Sequence, residues 1–120
     1  MFPVCVSTYA LYWYSYYAKV IWENRRKGDR GRTCLVTVDG TDFSICEPKP
    51  FSKKWYSKKF NGAALRYEVA VSIQHGDIVW LNGPFAPGQW NDQRIFKNFL
   101  ARRLDENEMV EADAGYYGEK

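Results

Sequence analysis

Arg66-Tyr67-Glu68-Val69-Ala70-Val71-Ser72-Ile73-Gln74 is the stretch on which the fold turns. Tyr67, Val69, Val71 and Ile73 alternate with Arg66, Glu68, Ala70, Ser72 and Gln74. Successive side chains of a β-strand point to opposite faces, so this strict period of two predicts a half-buried strand. His75-Gly76-Asp77 follows as a turn, and Ile78-Val79-Trp80-Leu81 returns as the second strand of a hairpin.

Working back from the hairpin, Cys34-Leu35-Val36-Thr37-Val38-Asp39 is a short β-branched run. It predicts a strand buried on both faces and ending at Asp39. Phe43-Ser44-Ile45-Cys46 reads as a second, shorter extended piece, after which Pro48 and Pro50 stop regular structure. Residues 52–62 read as a loop or insertion. Working forward, the Gly- and Pro-rich residues 83–88 form an irregular loop. Asn91 is placed to cap a helix, with Asp92 at the positive end of its dipole. Ile95, Phe96, Phe99, Leu100 and Leu104 then give a helical apolar stripe. Met109-Val110-Glu111-Ala112 is a last short strand that ends at Asp113. The order strand, strand, strand, helix, strand opens an α/β mixed sheet, with a right-handed crossover laying the last strand back into it.

A length of 120 residues allows one domain, and a hydrophobic share of 46% is enough for a single core. A mean hydropathy of −0.50, with no apolar run of about 18 residues, points to a soluble chain without a membrane partner. The net charge of +3 is small but unevenly placed. Basic residues crowd positions 25–32 and 49–59, whereas Asp105, Glu106, Glu108, Glu111 and Asp113 gather late. Such a distribution suits a protein that meets phosphates with one face and a metal with another. Residues 1–32 form an aromatic and basic segment, predicted helical or irregular, in which the run from Arg25 to Arg32 reads as a charged linker. Residues 33–120 form the domain proper. Cys5, Cys34 and Cys46 are odd in number and lack CxxC spacing, which fits reduced thiols in an intracellular protein and not a zinc site. No GxSxG, phosphate-binding glycine loop or HExxH occurs, so serine-hydrolase, nucleotide-hydrolase and zinc-protease chemistries have no footing.

Asp39 and Asp113 are each placed at the end of a strand and before small residues, Gly40-Thr41 and Ala114-Gly115. In open α/β sheets the ligand site lies beyond the carboxyl ends of the strands. If the two strands are parallel neighbours, both carboxylates come within reach of one hard cation, for which Mg2+ (or Mn2+) has the matching preference for oxygen. Acids at strand ends also serve as turn formers, and the pattern alone leaves that reading open.

Val38-Asp39-Gly40-Thr41-Asp42-Phe43, Lys54-Trp55-Tyr56-Ser57-Lys58-Lys59-Phe60, Leu65-Arg66-Tyr67-Glu68-Val69, Gly83-Pro84-Phe85, Gly88 with Asn91-Asp92, and Ala112-Asp113-Ala114-Gly115-Tyr116 form an ordered series. Together they resemble the DDE superfamily endonuclease domain of Harbinger-like transposases, over residues 35–117. The resemblance implies an RNase H-like fold, of which this would be the front part, with Asp39 and Asp113 as the first two catalytic, metal-holding acids. It implies a helix-start or supporting role for Asp92, DNA as substrate and a nuclear location; Asp42, where many relatives have His, is a possible supporting residue whose role the resemblance leaves open. The third acid, a Glu several tens of residues after the second Asp, is expected to be missing from this truncated form, so that a partner chain would supply it or the DNA-recognition module.

Lys53, Lys54, Trp55, Lys58 and Lys59 alternate basic and aromatic character. Lysines neutralise phosphates and rings stack on splayed bases, so this loop is a candidate nucleic-acid contact; a solvated loop pinned by Trp55 and Phe60 is the plainer alternative. The sequence therefore supports a transposase-derived, metal-dependent endonuclease domain, with a non-catalytic nucleic-acid- or protein-binding remnant as the rival reading.

Overall fold

The computed structural model describes residues 19–113. The aromatic residues before Lys19 and the turn after Asp113 lie outside the described residues. Within them the chain forms a mixed α/β fold whose five strands make one open, mixed sheet. The strands are β1 (Cys34–Ser44), β2 (Tyr56–Ser57), β3 (Gly62–Ser72), β4 (Ile78–Phe85) and β5 (Met109–Ala112). One α-helix, α1 (Asp92–Asn98), is prolonged by a 3-10 turn at Leu100–Arg103. Further 3-10 turns stand at Trp22–Arg26 and Lys53–Trp55.

β1 pairs antiparallel with β3, β3 antiparallel with β4, and β1 parallel with β5. The hairpin expected around His75-Gly76-Asp77 is the β3–β4 pair. The helix begins as its cap dictates: Asn91 Oδ1 accepts a hydrogen bond from the Arg94 N–H at 2.7 Å. The last strand returns beside the first, as the strand order requires.

One expectation is corrected. The extended pieces expected at 34–39 and 43–46 are joined in a single strand of 11 residues, Cys34–Ser44, with Ile45 and Cys46 past its end. The ladder to β3 does not stop at Asp39 but runs on from Gly40↔Glu68 to Ser44↔Ala64. Gly40 makes no turn and stays extended within the strand, opposite Glu68. Asp39 is therefore an exposed residue in mid-strand and not a strand terminus.

The covered face of the sheet is also the less obvious one. Arg66, Glu68, Ala70 and Ser72 of β3 are all buried, together with Val36, Val38, Gly40 and Asp42 of β1. Val69 and Val71, on the opposite face, are only half-buried, and Ile73 is 41% exposed. At the Val36 end this covered face is apolar. Trp22, Leu35, Val36, Val38, Ala70, Val79 and Leu100 form one cluster, with Trp80, Phe96, Leu104 and Val110 against it. Each fully buried Val or Leu contributes about 1.5–3 kcal/mol.

Trp22 packs edge-on against Trp80, so residues near the start of the described chain help to close the core. The neighbouring basic run divides accordingly. Arg25 is 2% exposed and sits over the Trp22 ring at 4.2 Å. It also reaches Glu108 at 2.9 Å and Asp105 at 3.2 Å, clamping the turn that feeds β5. Lys27, Arg30 and Arg32 are exposed, as a charged linker requires.

Towards Ser44 the covered face turns polar, and there Arg66 and Asp42 replace the apolar packing. Arg66 Nε and Nη2 donate to the two Asp42 oxygens, each at 2.7 Å, and Ser57 Oγ donates to Asp42 Oδ2 at 2.6 Å. Arg66 Nη1 donates to the Trp90 carbonyl at 2.8 Å. Removing one member of a buried pair strands the other charge, which costs about 3–5 kcal/mol, whereas apolar replacement of both is often neutral. Urea unfolding is therefore expected to show Asp42→Ala destabilised by about 3 kcal/mol or more, and the Asp42→Leu/Arg66→Met double variant substantially less so.

Candidate functional site

The parallel pairing of β1 with β5 sets Thr37 beside Glu111 and Val38 beside Ala112. One residue further, past the end of β5, the same register would set Asp39 level with Asp113. Adjacent strands lie about 4.8 Å apart, so the two backbones are close neighbours. Both acids are exposed. Asp39 belongs to the less covered sheet face, and its Oδ1 accepts the Gly40 N–H at 2.8 Å. Among the described residues no group of three or more His, Cys, Asp or Glu side chains is arranged to hold a metal ion.

Asp42 and Asp92, the expected supporting acids, lie on the covered face. Burial pushes the Asp42 carboxyl up, but the hydrogen bonds and charge of Arg66 and the bond from Ser57 outweigh it and hold it below the usual range. An acid so engaged is a structural anion and has no oxygen to spare for chemistry. Asp92 opens α1 and receives Lys59 Nζ at 3.2 Å, with Arg66 Nε at 3.6 Å on its other oxygen. It sits so close to β1 that a Cβ on Gly40 would lie 1.9 Å from Asp92 Oδ1. Gly40 is what lets the start of the helix rest on the strand.

Glu68 escaped the sequence reading. It is 1% exposed, paired across the sheet with Gly40 on one side and Asn82 on the other. Its Oε1 accepts the Trp80 indole N–H at 3.0 Å, while its Oε2 and Asn82 Nδ2 have no hydrogen-bond partner. Burial raises its pKa to about 7, against the Trp80 hydrogen bond and with help from the nearby Asp92 charge. The alternation had put Glu68 on one face with Arg66 and Ala70. It carried no signal that this face, and not that of Tyr67, Val69 and Val71, is the one α1 covers.

The basic loop is sorted by its contacts. Lys54 Nζ lies over its neighbour Trp55 at 5.0 Å. Lys59 turns inward, donating to the Gly40 carbonyl at 3.2 Å as well as to Asp92. Lys53 and Lys58 are exposed and line a groove with Arg66. Since Arg66 belongs to the covered face and Asp39 to the other, the structure does not gather the lysines and the paired acids into one cleft. His75 is exposed in its turn, bound through Nε2 to the Lys27 carbonyl at 2.7 Å, away from both acids.

Comparison with family models, with curated proteins and with solved structures gives no significant match for this chain.

Glu68 sets a pH dependence of known sign. Its folded pKa of about 7 lies above the ordinary 4.5, so between these values the folded state binds more protons than the unfolded one. Stability therefore falls as pH rises from about 4.5 to 7, by an amount on the order of 3 kcal/mol, and levels off above. Thermal melts across pH 5 to 8 are expected to show this decline in the parent chain and a much flatter profile in Glu68→Gln, which keeps an acceptor for Trp80.

Proposed function

We propose that this chain carries the opening strand-strand-strand-helix-strand portion of an RNase H-like, DDE-type endonuclease domain related to Harbinger-like transposases, acting on DNA phosphodiesters in the nucleus. The observation that carries this reading is the parallel β1–β5 register, which brings Asp39 and Asp113 level on neighbouring strands. The strand order supports it as well: an antiparallel run of β1, β3 and β4, then a helix, then a strand parallel to the first.

The donor set fits Mg2+ or Mn2+. Two carboxylates supply hard oxygen ligands, and Mg2+ commonly takes only one or two from protein and keeps several waters. Asp39 and Asp113 would hold the ion, with Gly40 N–H fixing one Asp39 oxygen and leaving the other for the metal. A bound divalent ion would supply charge neutralisation at a phosphate and activation of an attacking oxygen. The exposed lysines of residues 53–59 would offset the phosphate charge of the DNA. The rival, a non-catalytic nucleic-acid- or protein-binding remnant, is favoured by one observation: the described residues bring no third acid to the pair.

Calorimetric titration with Mn2+ is expected to give saturable binding that weakens about ten-fold or more in Asp39→Asn and in Asp113→Asn, loss of one charged ligand costing over ~1.4 kcal/mol. Equal affinity in both variants would remove the metal site. Nicking of supercoiled DNA by the parent chain, lost in the same variants, separates the endonuclease from the binding remnant, which would take up metal and leave the DNA intact.

A further inference from the structure

On the other face of the sheet from Asp39, a groove of about 570 Å³ lies between the loop before β3 and the loop before α1. Pockets that hold a small organic ligand are commonly about 300–1,000 Å³. Its lining includes Phe51, Lys53, Tyr56, Lys58, Arg66 and Asn91, and among its described lining residues there is no carboxylate. Two aromatic rings, two exposed ammonium groups and no opposing acid specify a ligand that is flat at one end and anionic at the other.

The groove is built and not incidental. One wall is fixed to the other at Gly88, whose N–H donates to the Lys54 carbonyl at 2.8 Å. A Cβ at Gly88 would lie 2.3 Å from the Lys53 carbonyl, so the loops meet backbone to backbone only because residue 88 is glycine. The floor is Arg66, held by Asp42 and the Trp90 carbonyl. Because Asp42 neutralises that guanidinium, the uncompensated charge of the groove belongs to Lys53 and Lys58. The Tyr56 hydroxyl is tied to Asn61, which fixes its ring. Phe51 is 59% exposed, so its ring is open to a flat partner. Asn91 uses its side-chain oxygen as the helix cap, leaving its amide N–H2 as a donor at the rim.

We infer that this groove binds a nucleoside phosphate unit with its base unpaired, the base against Phe51 and Tyr56 and the phosphate between Lys53 and Lys58. The inference rests on the nucleic-acid part of the proposed function and deepens it. It adds that the groove takes an unstacked nucleotide and not the backbone of a closed duplex, because both rings need an exposed base face. It does not involve Asp39, Asp113 or a metal. The same chemistry is offered by a free nucleotide and by a nucleotide within a single strand.

Fluorescence anisotropy in EDTA, with a labelled single-stranded octathymidylate, a hairpin duplex of equal length and AMP as competitor, tests it on the intact chain. The single strand is expected to bind more tightly than the duplex. Lys53→Ala/Lys58→Ala is expected to weaken it at least ten-fold and to lower the salt dependence by about 1–1.5 in log–log slope, near 0.7 per phosphate contact. Phe51→Ala should weaken it about ten-fold through lost stacking, with Lys97→Ala, on the exposed side of α1, within two-fold of the parent. Circular dichroism checks that each variant is folded. AMP displacing the oligonucleotide at its own comparable affinity would support the groove and assign it to free nucleotide. Duplex bound as tightly as single strand, with Phe51→Ala silent, would overturn the inference and leave the nucleic-acid reading standing. A folded chain that binds none of the three probes would overturn both.

Discussion

The guanidinium of Arg66 is the interaction on which the rest of this structure depends. From one position on β3 it holds Asp42 of β1, the Trp90 carbonyl of the loop before α1 and, at longer range, Asp92 at the helix start. Through Asp42 it also fixes Ser57 of β2. A planar, permanently charged fork with five donors can serve several acceptors at once, and a lysine could not. Arg66 thereby decides where α1 sits on the sheet, how the loop before β3 folds over it and what forms the floor of the groove. Its burial is tolerated because its partners satisfy it. Glu68, two residues away on the same face, has an oxygen without a hydrogen-bond partner and a proton affinity raised accordingly.

The covered face thus changes character along its length. At one end Trp22, Val36, Ala70 and Leu100 belong to one apolar cluster. At the other, Arg66, Asp42 and Asp92 form a charged layer, with Glu68 between the two. The opposite sheet face carries Asp39. The two proposed sites therefore lie apart: Asp39 on one face, and a cationic, aromatic groove on the other. Their independence matters to the proposal, since nucleotide binding and metal binding can each succeed or fail alone.

Much of the fold was legible because local rules and tertiary contacts agree. The period of two from Arg66 to Gln74, the His75-Gly76-Asp77 turn, the Asn91 cap and the short strand before Asp113 each report their own geometry. Three things were not legible. The strand β1 continues through Gly40 because of its partner β3, a long-range pairing that residues 39–44 do not announce. The face that is covered carries Arg66 and Glu68, because paired charges can replace apolar residues when the partner is distant in sequence, as Asp42 is. The basic loop looked uniform, yet Lys59 is spent on Asp92 and the Gly40 carbonyl while Lys53 and Lys58 line the groove. Of the candidate site, the neighbouring of the two strands could be read; that Asp39 lies in mid-strand, and that Glu68 is buried beside Asp92, could not.

The central claim is that β1 and β5 run parallel in the register that brings Asp39 level with Asp113. Disulfide trapping reads that register directly, in a background where Cys5, Cys34 and Cys46 are replaced by serine. Thr37→Cys combined with Glu111→Cys joins residues that are direct partners across the pair and share a face, within the span of about 4.4–6.8 Å between Cα atoms that a disulfide bridges. Rapid crosslinking of this pair, and little of Thr37→Cys with Met109→Cys, is the expected result. Preferential trapping of the Met109→Cys combination, or of neither, would mean that the strands are out of register or unpaired, and Asp39 and Asp113 would not meet.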